Sequence, residues 1–161
     1  MSLRRELNLR NPIKSLPHEV LLNVYFTAQC IKKDAGRFFH SFGLTDVQFN
    51  LMMLLKHQSD PRQGLSQAQI SEMMLVNRAN TTTLIDRMEK AGLVQRTASV
   101  SDRRTNIIKL SSRGKKLLEE VEPRYADEVQ RIMASFNTTE QKKIIALLEK
   151  IRQFVNGHKQ N

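Results

Sequence analysis

The chain has 161 residues, a hydrophobic share of 40% and a formal net charge of +10. This length suits one ordinary domain or two small ones, and no apolar run approaches the roughly 20 residues that a membrane-spanning helix needs. The single cysteine, Cys30, excludes an internal disulfide, and the basic N-terminus lacks the apolar centre of a signal peptide, so a cytoplasmic setting is expected.

The positive charge is concentrated in one part of the chain. Residues 62–116 carry a net charge of +7 and residues 1–17 carry +3, whereas residues 18–61 and 117–161 are each neutral. A basic block inside an otherwise neutral protein is typical of a surface that binds a polyanion. Charge alone leaves two alternatives open, which are contact with an acidic membrane surface and a solvated basic face that only aids solubility.

A long apolar stripe predicts the first helix. Apolar residues recur at spacings of four and three from Pro17, which suits a first helical position, to Gly43, which suits a helix end. The stripe consists of Val24, Ala28, Ile31, Ala35, Phe38 and Phe42.

Two shorter helices follow, and each is opened by a capping box, in which a Ser or Thr precedes a Gln by three residues. Thr45 with Gln48 predicts a helix to about residue 58, and Ser66 with Gln69 predicts one to about residue 75. The segment "SDPRQG" separates them as a chain break.

The next helix is the candidate recognition helix. Asn77 is a suitable N-cap and Gly92 a suitable stop, and the residues expected to face inward are Leu84, Ile85 and Met88. Its early positions outside this apolar face are Arg78, Asn80, Thr82 and Thr83. Three consecutive threonines at 81–83 are poor helix formers, so we expect hydroxyl groups to be needed there. The alternative is that they only fill the surface.

Two β-like runs, "LVQRT" and "NIIKL", predict a hairpin that carries Asp102, Arg103 and Arg104 in its loop. A hairpin beside a helix in the major groove extends toward the neighbouring minor groove, where arginine binds narrow A·T-rich segments. Asp102 could hold the Arg104 guanidinium in one orientation. The alternative is an ordinary surface salt bridge, which contributes little.

Two amphipathic helices complete the chain. Ser111 is expected to cap the first, and Pro123 is expected to kink it or to mark a break. A capping box of Thr138 with Gln141 predicts the second. The first stripe is Leu118, Val121, Tyr125, Val129, Ile132 and Phe136, and the second helix is expected to bury Ile144, Leu148, Ile151 and Val155.

These elements predict a mainly α protein with a small β-hairpin, in which a winged helix-turn-helix head is joined to a helical dimerisation region. The expected divisions are a basic arm at 1–16, a dimerisation region at 17–44 and 112–158, and the DNA-binding head at 45–111. Three long apolar stripes lie outside the head, and a second copy of the chain could cover them more easily than a monomer could.

The motifs "LIDRMEKAGLV" and "DRRTNIIKLSSRG" resemble the MarR family of bacterial transcription regulators over about residues 45–160. The resemblance implies a homodimer that reads a pseudo-palindromic operator on double-stranded DNA, acting as a repressor that a small aromatic or phenolic ligand releases. It implies that Asp102 and Arg104 form the minor-groove device and that Arg103 lies beside them. It places Arg78, Asn80, Thr82 and Thr83 in the major groove, and the backbone contacts expected are Ser66, Gln67, Arg87 and Arg96. The candidate ligand-pocket residues are Phe42, Phe49 and Met53, which core packing explains equally well.

The sequence departs from the peroxide-sensing members of that family. Cys30 lies in the middle of the first helix and no tyrosine accompanies "TDVQF", so we expect Cys30 to be a buried packing residue. The histidines lack metal-ligand spacing, so no metal or other cofactor is expected. No nucleophile, paired acids or phosphate loop supports an enzyme. A non-specific architectural nucleic-acid binder and a winged-helix protein-interaction module remain as alternatives.

Overall fold

A computed structural model describes residues 2–59, 64–74, 78–98 and 106–157. The chain divides into two compact units, Met1–Leu118 and Glu119–Asn161. The first contains, in chain order, α1 (Leu3–Glu6), α2 (Leu16–His40), α3 (Asp46–His57), β1 (Leu65–Ser66), α4 (Gln67–Met73), α5 (Arg78–Lys90), β2 (Val94–Ala98) and β3 (Asn106–Leu110). Helix α6 (Ser112–Met133) crosses the boundary, and α7 (Thr138–Gly157) lies in the second unit. This mainly α architecture with a small antiparallel sheet confirms the predicted fold class.

Both predicted capping boxes of the head are present. Thr45 Oγ1 accepts a hydrogen bond from Gln48 N at 3.2 Å, and Gln48 Oε1 accepts one from Thr45 N at 2.9 Å. Ser66 and Gln69 exchange the equivalent bonds at 3.3 and 2.9 Å. Helices α3 and α4 therefore begin where the sequence predicts, because each box satisfies two backbone N–H groups at the helix start.

The predicted hairpin forms, and a third strand joins it. Strands β2 and β3 are antiparallel, with Val94 opposite Leu110 and Ala98 opposite Asn106. Strand β1 pairs antiparallel with the other edge of β3, so the order is β1-β3-β2. A two-residue strand is too short to show an alternating pattern, which is why the sequence does not predict it.

The core of the first unit holds the short helices against the sheet. Ile70 of α4, Ile85 of α5 and Ile108 of β3 are each 0% exposed. Each buried aliphatic side chain contributes roughly 1.5–3 kcal/mol of transfer free energy, so α4 and α5 are anchored to the sheet by their apolar faces. The other fully buried apolar side chains of this unit are Phe49, Leu51, Met52, Met88 and Leu118.

The N-terminal part differs from the prediction in two respects. Helix α2 starts at Leu16, with the Ser15 hydroxyl accepting a hydrogen bond from His18 N, and it ends at His40, before the expected Gly43. The predicted basic arm includes the single-turn helix α1, whose Leu3 is 4% exposed. Burial of one leucine in a polar segment leaves no periodic signal in the sequence.

Exposed side chains on α2 and α7 correct two predictions about burial. Cys30 is exposed, although the sequence predicts a buried packing residue. No residue of α7 is buried, and Leu148 and Val155 are 36% and 53% exposed. Periodicity identifies the apolar face of a helix but does not supply the surface that covers it.

The start of α7 is also displaced from the prediction by one residue. The cap is Asn137, whose Oδ1 accepts from Glu140 N at 3.0 Å, while Glu140 Oε2 accepts from Asn137 N at 2.8 Å. Asn caps a helix at least as well as Thr, and Glu140 at the third position completes the box in place of Gln141. In the preceding helix α6, Pro123 lies inside a continuous segment and does not break it.

Every helix in the described ranges is too short or too polar to cross a membrane.

Candidate DNA interface

Helix α5 buries one face and exposes the one that the sequence assigns to DNA. Thr81, Ile85 and Met88 are each 0% exposed, and they follow the i, i+4, i+7 spacing of one helix face. Thr82 and Thr83 are exposed, as is Asn80. The three threonines therefore divide between two roles, because Thr81 is a core residue and the next two lie on the outer surface.

A hydrogen bond joins the two helices of the helix-turn-helix on this surface. Gln67 Nε2, at the start of α4, donates to Thr82 Oγ1 of α5 at 2.5 Å. Both residues are predicted DNA contacts, Gln67 with the backbone and Thr82 with bases. The structure brings them together into one polar pair.

Arg96 connects the hairpin to α5. Its Nη2 donates to Asp86 Oδ1 at 2.5 Å, its Nη1 donates to Glu89 Oε2, and its backbone N–H donates to Glu89 Oε1 at 3.2 Å. The hydrogen bond with Asp86 raises the pKa of Arg96 above its ordinary value, burial opposes the rise, and Glu89 adds to it. The guanidinium is thus paired with two carboxylates, which hold β2 against α5.

Ser111 connects the end of α5 to the start of α6. Its hydroxyl donates to the Gly92 carbonyl at 2.5 Å and accepts from Gly114 N at 2.9 Å. A Cβ atom on Gly114 would lie 2.0 Å from the Leu93 carbonyl oxygen, so only glycine allows this close approach. The sequence predicts the capping role of Ser111 but not its bond across the chain to Gly92.

The remaining predicted contacts have different structural settings. Ser66 uses its hydroxyl as the cap of α4, and Arg87 is exposed on α5. Several predicted contacts lie outside the described residues. They are the Arg78 side chain and the wing residues Asp102, Arg103 and Arg104. The predicted helix cap Asn77 also lies outside them. All of the proposed DNA contacts stay predictions.

Three exposed cations at the start of α6, Arg113, Lys115 and Lys116, add to the basic surface. The Arg113 side chain passes beside Gly92 at the end of α5. Sequence reasoning did not single these residues out, although they lie inside the basic block at 62–116. Their position makes them additional candidates for phosphate contact.

The three candidate ligand-pocket residues have different surroundings in the described structure. Phe49 is 1% exposed and stacks on Phe39 with ring centroids 4.5 Å apart, and Phe42 packs against Phe38. Met53 lines an open groove of about 510 Å³ between α3 and α4. The other lining residues are Asn50, Leu54, His57, Gln58, Met73 and Met74. Binding of one ligand by Phe42, Phe49 and Met53 stays a prediction.

Comparison with known proteins identifies the family. The family model for MarR matches residues 44–105, which contain α3, the helix-turn-helix helices α4 and α5 and the first hairpin strand, β2. The transcriptional regulator FarR of Neisseria gonorrhoeae is 31% identical over 118 residues, which cover 71% of this chain and 77% of FarR.

Solved structures establish the same fold. The S. aureus MepR–DNA complex has a TM-score of 0.72 at 23% identity, covering 82% of this chain and 93% of MepR. CouR from Rhodococcus jostii RHA1 bound to p-coumaroyl-CoA has a TM-score of 0.74 at 20% identity, covering 86% of this chain and 95% of CouR. The chain therefore belongs to the MarR family and is a transcription regulator with a DNA-binding winged-helix fold, not an enzyme.

Proposed function

We propose that this regulator acts as a homodimer that binds a pseudo-palindromic operator, represses transcription there and is released by a small ligand. The observation that carries the proposal is the exposed polar face of α5, which the Arg96 ion pairs hold beside the hairpin. An α-helix fits a major groove about 12 Å wide, and a hairpin beside it extends along the duplex.

In this proposal α5 reads bases through its first two turns. Asn80, Thr82 and Thr83 supply short amide and hydroxyl groups, and Arg78 begins the same helix. Arg87 follows one turn after Thr83 on the exposed surface, where its guanidinium suits a phosphate. Short polar side chains allow close approach of the helix to base edges.

The wing supplies the second contact. Ala98 pairs with Asn106, so residues 99–105 connect the ends of an antiparallel ladder. We place Arg104 in the flanking minor groove, with Asp102 orienting its guanidinium and Arg103 on a phosphate. The negative potential of a narrow minor groove favours arginine there.

Exposed apolar side chains support the dimer. In α2, Leu16 and Tyr25 are 72% and 66% exposed, and in α7 Phe154 is 69% exposed. Large apolar surfaces left open to water in a single chain are typical of protein interfaces. We therefore assign residues 17–44 and 112–158 to the dimer interface and residues 45–111 to the DNA-binding head.

A small aromatic or phenolic effector is proposed, by analogy with the phenolic group of p-coumaroyl-CoA in the CouR structure. The candidate pocket residues are Phe42, Phe49 and Met53. A ligand that separates the two heads, or turns them relative to each other, would disturb the spacing that two half-sites require.

Selection of bound duplexes from a random pool tests the proposal. We expect an inverted repeat with half-sites about one helical turn apart, bound at least roughly 10³-fold more tightly than random DNA at the same salt concentration. Binding without sequence preference would favour the architectural alternative. No affinity for DNA would favour a protein-interaction module.

A further inference from the structure

The bond between Gln67 and Thr82 crosses from one helix of the helix-turn-helix to the other. Gln67 Nε2 lies 2.5 Å from Thr82 Oγ1, and the two residues are 15 positions apart in the chain. Thr82 is exposed and Gln67 is half-buried, so the pair lies at the edge of the surface assigned to the major groove.

Both ends of this bond are attached to fixed backbone. Gln67 follows the cap residue Ser66, whose backbone position is set by its capping box with Gln69 and by pairing with Ile107 of β3. Thr82 follows Thr81, whose side chain is 0% exposed in the core. The fold of the head therefore fixes the distance between α4 and α5 at this point.

A threonine in a helix populates two χ1 rotamers, which place its hydroxyl and methyl groups in different directions. A hydrogen bond donated to Oγ1 by a fixed neighbour favours the rotamer in which the hydroxyl faces that neighbour. The methyl group is then fixed as well. Both groups can distinguish bases, the hydroxyl by hydrogen bonding and the methyl by contact with thymine.

We propose that Gln67 is a positioning residue for base recognition, which holds Thr82 in one rotamer so that the pair sets sequence discrimination at one base pair of each half-site. The inference rests on the proposed function. It replaces the expected contact of Gln67 with the DNA backbone.

The test measures affinity for the selected duplex and for duplexes in which each base pair of a half-site is replaced in turn, at one salt concentration. Gln67→Ala is expected to weaken binding to the selected duplex about 3- to 10-fold, the range of one net hydrogen bond. In Gln67→Ala, replacing one particular base pair should reduce affinity less than it does in the parent. That base pair should be the one at which Thr82→Val also loses discrimination, and the effect of every other replacement should be unchanged.

Coupling between the two substitutions provides the control. The double variant should bind no more weakly than Thr82→Val alone, because either change already removes the pair. In a Thr82→Ser background, which keeps the hydroxyl but lacks the methyl group, Gln67→Ala should still weaken binding. Thermal melts should show every variant folded at the temperature of the binding measurement, because loss of one hydrogen bond near the surface lowers stability only slightly.

Two results would overturn the inference. Equal weakening on every duplex, selected or random, would mean that Gln67 contacts the backbone. Additive effects of Gln67→Ala and Thr82→Val would mean that the two residues act independently. A parent protein that does not discriminate among duplexes would instead overturn the proposed function, and the inference with it.

Discussion

Arg96 of β2 and Asp86 of α5 form an ion pair, with Arg96 Nη2 lying 2.5 Å from Asp86 Oδ1. The pair joins the recognition helix to the wing strand, and Glu89 strengthens it through a second pair and a bond to the Arg96 backbone. The two elements that are proposed to enter neighbouring grooves therefore have a fixed relative orientation.

Arg96→Ala should lower the free energy of unfolding by about 1–2 kcal/mol, because a charged hydrogen-bonded pair is lost while its partners stay partly exposed. DNA binding should weaken without a change in its salt dependence. Arg87→Ala is the matched control, with unchanged stability and a salt slope lowered by about 1 as for a lost phosphate contact. A lowered slope in Arg96→Ala would show that this residue contacts DNA directly.

The stability contributed by Arg96 should not vary with pH in the neutral to mildly alkaline range. A pKa raised by folding gives a contribution that is complete below the unfolded pKa and is lost as the pH rises through the folded pKa. Both values for arginine lie far above about pH 9. Urea unfolding of the parent and of Arg96→Ala at about pH 7 and 9 should give the same difference, and a smaller difference at the higher pH would contradict this assignment.

Gly114→Ala should destabilise the first unit by at least about 1–3 kcal/mol, because the added Cβ would lie 2.0 Å from the Leu93 carbonyl oxygen. Gly36→Ala is the control, since Gly36 lies inside α2 and no neighbouring group lies within 4 Å of its Cβ position. That substitution should stabilise α2 by about 0.5–1 kcal/mol. Chemical denaturation measures the stability of both variants and of the parent. A Gly114→Ala variant as stable as the Gly36→Ala variant would contradict the close approach at Gly114.

Ser111→Ala removes both the cap of α6 and the bond to the Gly92 carbonyl. We expect a loss of roughly 0.5–2 kcal/mol in unfolding free energy. Ser112→Ala, one residue later and exposed, should have little effect. Hydrogen exchange at Gly114 N, which donates to Ser111 Oγ, should accelerate in the first variant only. Protection of this amide in Ser111→Ala would show that the cap is dispensable.

Phe154→Glu should dissociate the proposed dimer, because a charge would replace a large apolar side chain at the interface. The monomer should keep its helical content, since Phe154 is 69% exposed in the single chain. Asn156→Glu adds the same charge on nearly the opposite side of α7 and should leave the dimer intact. Sedimentation at micromolar concentration distinguishes the outcomes, and a parent that sediments as a monomer would refute the dimer itself.

The sequence predicts those features that depend on neighbours along the chain. The boxes at Thr45 and Ser66 are local, and the structure has both; at α7 two adjacent candidates compete, and Asn137 caps the helix instead of Thr138. Features that depend on tertiary packing cannot be predicted from the sequence alone. Helical spacing from Ile85 and Met88 already separates Thr81 from Thr82, but nothing local indicates that Arg96 pairs with acids of another element.

The same distinction between local pattern and tertiary packing explains why the predicted burial of Cys30 is wrong. A helical stripe indicates which side of α2 is apolar, but burial requires a covering surface, and in the single chain Cys30 is exposed. On α5, the sequence predicted that Asn80, Thr82 and Thr83 lie outside the apolar face, and all three are exposed. It could not show that Gln67 reaches Thr82, because that contact depends on how α4 packs on α5.

The most direct test of the central claim is the affinity of the parent protein for the selected duplex relative to the same duplex with both half-sites scrambled. Measured at one salt concentration, the ratio should be at least roughly 10³, with two chains bound per selected duplex. Equal affinities for the two duplexes, or one chain per duplex, would contradict a dimer that reads an inverted repeat through α5 and the wing.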